Sequence, residues 1–370
     1  MSGQKLDKGA DITPEQTEHL KAIALVLLMI HHLFGCNYLE DWMSFAKGAD
    51  IILGVSGRIC LALFLFCSGY GLYRSYVSKE NTKRSYIPQK IIKTLIPYWV
   101  VMIIAIVILI FLGKFNPLYI PMNLVAWLHN DDMLYVSFSW YIKLQLLLIA
   151  TLPLIKLLEK KWKKNLVIDY LLYVILPFVL WFFLKKYESE EYFTNIFQSI
   201  ASTGVFLLSW YSLFALGMLF AKYNIYSKIR KFSERFPKVL VIILSVIICG
   251  YVIYLRYLIY HFYLDVSYYS ITDSVLMPFF AVSCLLIMDN VKFRSKYVIP
   301  FLGKNSIFYW LLSGMFFLNT KELMPVLTFP RYSLLIFLWL FVMLTPFVFA
   351  CSFVSDKILG LIIRKGLSQK

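Results

Sequence analysis

The chain has 370 residues, 60% of them hydrophobic and 18% aromatic, with a formal net charge of +16 and a mean hydropathy of +0.70. That apolar share excludes an ordinary soluble domain and places the chain among integral membrane proteins. In such a chain a surplus of Lys and Arg speaks first to topology, so no nucleic-acid partner is expected.

The polar opening, residues 1–18, has no short apolar core followed by a small-residue cleavage site, and no cleaved signal peptide is expected. Beyond it, a bilayer-spanning helix needs about 20 mostly apolar residues. Ten stretches qualify, at 20–37, 51–73, 93–113, 135–155, 166–184, 203–221, 237–257, 271–289, 299–318 and 332–354. The cations sort themselves between the gaps. Alternate segments hold 28 of the 37 Lys and Arg, the opposite set holds seven, Arg256 among them, and Arg58 and Lys143 fall inside spans. By the positive-inside rule both termini are cytoplasmic, and the fold expected is an all-α bundle of about ten transmembrane helices. The six cysteines are scattered through apolar runs with no CxxC pair, so neither a disulfide framework nor a metal site is expected.

Polar groups at membrane depth are costly and therefore informative. The first span, "LKAIALVLLMIHHLFG", carries His31 and His32. Lys21 precedes His32 by eleven residues, almost three helical turns, which puts both on one face about 16 Å apart along the axis. A histidine here is either hydrogen-bonded inside the bundle or placed for chemistry. Arg58 lies near the outer end of the second span, where it either snorkels to the surface or turns inward. That span ends in Ser68, Gly69, Tyr70 and Gly71, small enough to admit another backbone or a ligand. Lys90 and Lys93 are i, i+3 neighbours at the cytoplasmic boundary of the third span, suited to phosphates or to simple anchoring. The fourth opens with Trp140 and Tyr141, candidate interfacial-belt residues, followed by Lys143 and Gln145. Asp273 enters the eighth from outside and is a candidate to orient a histidine. Asn305 and Ser306 enter the ninth from the cytoplasm, where helix capping is the simplest role.

Four of these stretches, in this order, resemble the membrane-bound acyltransferase 3 family, whose members acylate cell-surface glycans. "LKAIALVLLMIHH" is similar to its Arg-x10-His first helix, and "ICLALFLFCSGYGL" to its helix ending in Ser-Gly-Phe/Tyr. "KIIKTLIPYW" is similar to its Arg-x-x-Arg and Pro-Tyr-Trp segment, and "LGKNSIFYWLL" to its Leu-Gly-x-Asn-Ser-x-x-Tyr segment. The resemblance covers nearly the whole chain and implies a transmembrane acyltransferase domain over 19–356, with cytoplasmic segments at 1–18 and 357–370.

It implies His32 as the catalytic histidine, with Lys21, Lys90 and Lys93 facing an acyl-CoA, most simply acetyl-CoA, as co-substrate and no tightly bound cofactor. All three cations are Lys where the family has Arg, which keeps charge but loses bidentate phosphate geometry. The family often carries a histidine where this chain has Ser313. Residue type adds His31, Asp273 and Arg58 beside His32. Trp140, Tyr141, Gln145, Asn305 and Ser306 are assigned to the acceptor or the oxyanion. The acceptor expected is a hydroxyl of an extracytoplasmic glycan or sugar, and the location a bacterial cytoplasmic membrane, multi-pass. A transporter or flippase for a glycan or small solute is the alternative, though no inverted repeat is visible. The sequence sets no oligomeric state.

Overall fold

A computed structural model describes residues 11–35, 49–79, 85–127, 133–161, 165–188, 196–262, 269–291, 297–316 and 321–368. The helices are, in order, α1 (Pro14–Ile30), α2 (Ala49–Gly57), α3 (Cys60–Leu72), α4 (Tyr86–Phe111), α5 (Ile120–Leu124) and α6 (Trp140–Lys161). Next come α7 (Leu166–Tyr170), α8 (Leu176–Glu188), α9 (Ile196–Tyr223), α10 (Ile225–Ser233) and α11 (Lys238–Phe262). The series ends with α12 (Tyr269–Val291), α13 (Val298–Lys304), α14 (Ser306–Gly314), α15 (Met324–Leu327) and α16 (Ser333–Ser368). Five-residue π turns follow α1 at His31–Gly35, follow α3 at Tyr73–Val77, and join α7 to α8 at Leu171–Ile175.

Among the described residues there is no β-strand, and nine helical stretches are long and apolar enough to cross a membrane. They coincide with nine of the ten predicted spans. The other, at 299–318, is broken. Asn305 leaves helical geometry at φ −100° and ψ 11°, dividing the segment into α13 of seven residues and α14 of nine. The second span is also interrupted, between Gly57 and Cys60, which puts Arg58 in a turn and not on a continuous helix.

The helices sort into two compact units. The first comprises 1–24, 61–80 and 156–303. Here α11 packs along α12, α12 along α9, and α8 along α9. Thr13 and Gln16 form a reciprocal capping box at the start of α1, with backbone-to-side-chain bonds of 2.8 and 3.1 Å. Of the small residues ending α3, Gly69 admits a backbone. A Cβ at Gly69 would lie 1.9 Å from the Phe214 carbonyl oxygen, and one at Gly217 would lie 2.0 Å from that of Phe66. The two glycines therefore let α3 and α9 meet backbone to backbone, as small residues do between membrane helices. Gly71, by contrast, faces open space.

Two buried charge clusters tie this unit together. Lys222 sits 2.7 Å from Glu159 and 2.5 Å from Asp169, and Tyr173 donates to Glu159 at 3.0 Å. Arg256, read from sequence as an outer-side cation, is buried within α11. It grips Asp273 of α12 bidentately, Nε to Oδ1 at 2.7 Å and Nη2 to Oδ2 at 3.1 Å. A charge pair at membrane depth is tolerated only when hydrogen-bonded in this way.

The second unit comprises 25–60, 81–155 and 304–370. In it α16 packs on α4, and α14 packs on both. Three glycines press α2 against the end of the first helix. Added Cβ atoms would lie 2.5 Å from the Gly54 carbonyl oxygen at Gly35, 2.3 Å from the Phe34 backbone at Gly54, and 2.5 Å from the Leu27 carbonyl oxygen at Gly57. The loop ahead of α6 is held by the buried Asn123. Its amide donates to Tyr119 O and Met133 O at 2.9 and 3.0 Å, and its oxygen accepts from the Tyr135 N–H at 3.0 Å.

Candidate active site

His31 and His32 open the π turn that ends the first span. Such turns are uncommon and recur at functional sites. His32 is buried, 5% exposed, and His31 is half-buried. Their rings lie 5.9 Å apart.

The hydrogen bonds bear on how each ring carries its proton. Ser313 Oγ donates to the Trp310 carbonyl at 2.9 Å and lies 3.3 Å from His32 Nδ1. A hydroxyl has one proton; given to the carbonyl, it leaves Ser313 to accept from the imidazole. That pattern matches the His32 tautomer with its proton on Nδ1 and its lone pair on Nε2. His31 Nδ1 faces the Gly54 carbonyl at 2.9 Å, and because a carbonyl only accepts, that nitrogen too carries a proton.

Around His32 the second unit builds an aromatic wall. Phe138 stacks on the imidazole with centroids 4.1 Å apart. The same ring covers Gly314, where a Cβ would come within 2.4 Å of it. Trp310, Ser313 and Gly314 occupy i, i+3 and i+4 positions and thus one face of α14. Tyr141 stacks on Trp310 at 4.3 Å, Trp140 meets its edge at 5.9 Å, and Gln145 donates to the Tyr141 hydroxyl at 2.8 Å. Trp140 and Tyr141 thus belong to an internal cluster and not to a lipid-facing belt. Behind them the buried Lys143 ammonium lies 4.6 Å from the Trp127 ring centre, a cation–π contact.

The remaining predicted residues divide between the units. Asn305 and Ser306 are buried at the start of α14, two turns before Ser313. The Asn305 side chain makes no capping bond to that helix, so capping is not its role. Arg58, half-buried, immediately follows Gly57, whose Cβ would fall 3.3 Å from that of His31. Lys90 and Lys93 lie within α4 and not ahead of it, Lys90 half-buried and Lys93 exposed. Lys21, half-buried on α1, and Asp273 belong to the first unit. The Asp273 carboxylate spends both oxygens on Arg256, which gives it an ion-pair partner in place of the imidazole expected from sequence. Ser313 was legible only as a place where the family often has histidine. A serine in an apolar run signals little else.

The chain matches an acyltransferase domain over residues 16–356. No curated protein matches it, and no solved structure does. The domain covers every described helix that carries the histidines, the aromatic wall and the lysines, and it decides for an enzyme over a transporter. The chain belongs to the acyltransferase 3 family and is a multi-span membrane acyltransferase.

Proposed function

We propose that this acyltransferase moves an acyl group, most simply acetyl, from a cytoplasmic acyl-CoA to a hydroxyl of an extracytoplasmic glycan or sugar, with His32 Nε2 as its working nitrogen. The observation that carries the reading is the His32–Ser313–Trp310 relay, which holds a buried imidazole and suits the tautomer with its lone pair on Nε2.

As general base, Nε2 takes the acceptor hydroxyl's proton while the oxygen attacks the thioester carbonyl. The carbon–sulfur bond breaks, and the thiolate leaves as free CoA after recovering that proton from the imidazolium. As nucleophile, Nε2 instead attacks the thioester to give an acyl-imidazolium as the carbon–sulfur bond breaks. The acceptor hydroxyl then takes the acyl group, and its proton passes by way of the freed Nε2 to the CoA thiolate. In both routes Ser313 accepts from Nδ1–H while positive charge resides on the ring. Tyr141 and Trp310 are buried against each other, so the half-buried Trp140 is assigned to pack on a sugar's C–H face, with the half-buried Gln145 adding a polar contact. Lys21, Lys90 and Lys93 are assigned to the CoA phosphates as point charges. Arg58, Asn305 and Ser306 remain candidates for the oxyanion.

The test follows labelled acyl transfer and CoA release when membranes holding the protein meet acetyl-labelled CoA with envelope glycans present. His32→Ala at matched folded abundance is expected to lose about 10²- to 10⁴-fold, and His31→Ala far less. Wild-type turnover by the His32 variant overturns the assignment.

A further inference from the structure

The short helix α10 (Ile225–Ser233) has no part in the acyl-transfer reading, yet its build is distinctive. Asn224 takes left-handed geometry, φ 49° and ψ 48°, which ends α9 and turns the chain into α10. α10 therefore lies between two candidate spans, Ala201–Tyr223 and Lys238–Ile259, at the level where both reach the membrane boundary. By the distribution of cations this is the cytoplasmic side.

One edge of α10 is fixed to the protein. Tyr226 is fully buried. Its hydroxyl donates to Asp289 at 2.6 Å, and the Asp11 carboxylate accepts from the backbone N–H groups of Tyr226 and Ser227. The rest of the helix is unlike a solvated surface. Ile225, Ile229 and Phe232 recur at i, i+4 and i+7 and share one face. Phe232 and, beyond the helix end, Phe236 are 57% and 45% exposed, and their rings meet edge to face at 5.4 Å. Arg235 lies 5.8 Å from the Phe232 ring. Between 228 and 238 stand five cations, Lys228, Arg230, Lys231, Arg235 and Lys238, against the single acid Glu234.

We propose that α10 is an in-plane membrane anchor selective for anionic lipid: Phe232 and Phe236 sink into the acyl boundary while Lys228, Lys231 and Arg235 hold the headgroups. An apolar face flanked by Lys and Arg is the pattern of helices that lie in the interface, and anionic headgroups supply the complementary charge. A soluble phosphate ligand would match the cations but leave the paired phenylalanines in water. The proposal stands independently of the acyl-transfer reading.

The test titrates phosphatidylglycerol and phosphatidylcholine onto the purified full-length protein, with bound lipid counted by native mass spectrometry. Wild type is expected to favour phosphatidylglycerol. Each neutralised cation in K228Q/K231Q/R235Q is expected to lower that lipid's affinity about fivefold until the preference is gone. F232S/F236S is expected to weaken both lipids and keep the preference. Should the triple variant not purify, K231Q and R235Q, both of exposed side chains, are read singly in the same titration. An unchanged preference after charge removal, or displacement of the lipid by free CoA, overturns the proposal.

Discussion

Replacing Ser313 by Ala tests the His32 relay at its least disruptive point. The side chain is fully buried, and the substitution removes one oxygen without adding volume, so the packing of α14 against Phe138 survives. What is lost is the acceptor 3.3 Å from His32 Nδ1. A neutral bond of this kind contributes about 1 kcal/mol, and a buried donor left unmatched costs about 1–3 kcal/mol. The ring then either keeps an Nδ1–H that has lost this acceptor or shifts its proton to Nε2, and that nitrogen can no longer accept one from the hydroxyl. At about 1.4 kcal/mol per decade of rate, kcat should fall between about fivefold and about 150-fold. Because Ser313 positions the base and does not bind the donor, KM for acyl-CoA should stay within about twofold of wild type. Ser313→Thr, which restores a hydroxyl, should recover part of the rate. Steady-state CoA release in proteoliposomes, beside His32→Ala as the zero, measures all of this. A Ser313→Ala enzyme with wild-type kcat, or one whose loss appears entirely in KM, refutes the relay.

Two further outcomes follow from the first unit. Asp273→Asn leaves the 1%-exposed Arg256 guanidinium facing a neutral amide, and thermal unfolding in nanodiscs should show a loss of about 3–5 kcal/mol. The apolar pair R256M/D273L should lose less than the single change, and equal losses would count against a desolvated charge as the cause. Burial foremost, then the Asp289 carboxylate, pushes the Tyr226 phenol above its ordinary range. Its protonated form therefore persists in the folded state after the unfolded chain's phenol ionises near pH 10. The associated stability is complete below that pH and is lost as pH rises through the folded value. Tyr226→Phe should flatten this alkaline limb, and an unchanged limb would assign it to other groups.

Hydropathy and the alternation of lysines were enough to read the spans, because both report on the bilayer and not on neighbours. They could not register the break at Asn305, since a window average sums side chains and is blind to one residue's φ and ψ. Arg256 at the end of an apolar run looks the same whether it snorkels outward or turns in. Only the hairpin that brings Asp273 beside it, 17 residues on, distinguishes the two. Trp140 and Tyr141 carry the composition of an interfacial belt, yet Trp310, far away in sequence, draws them inward. The Glu159–Asp169–Lys222 cluster stayed hidden because Lys222 counted only as one more boundary cation and the two acids drew no reading. His32 was visible because a histidine at depth is rare. Ser313, which orients it, was not, because a serine among leucines is commonplace.

The turn at His31–Gly35 bears on how such a chain tolerates change. A π turn bonds five residues back, where an α-helix bonds four, and so accommodates one residue more than the regular helix. Substitutions within it leave that surplus intact. Deleting a single residue such as Leu33 would use up that surplus and let the segment settle into ordinary helix with its flanks nearly in register, whereas the same loss from regular helix turns everything after it by about 100°. Within this lineage, alleles that lose one residue from the turn should be commoner than alleles that lose one from the regular helix ahead of it.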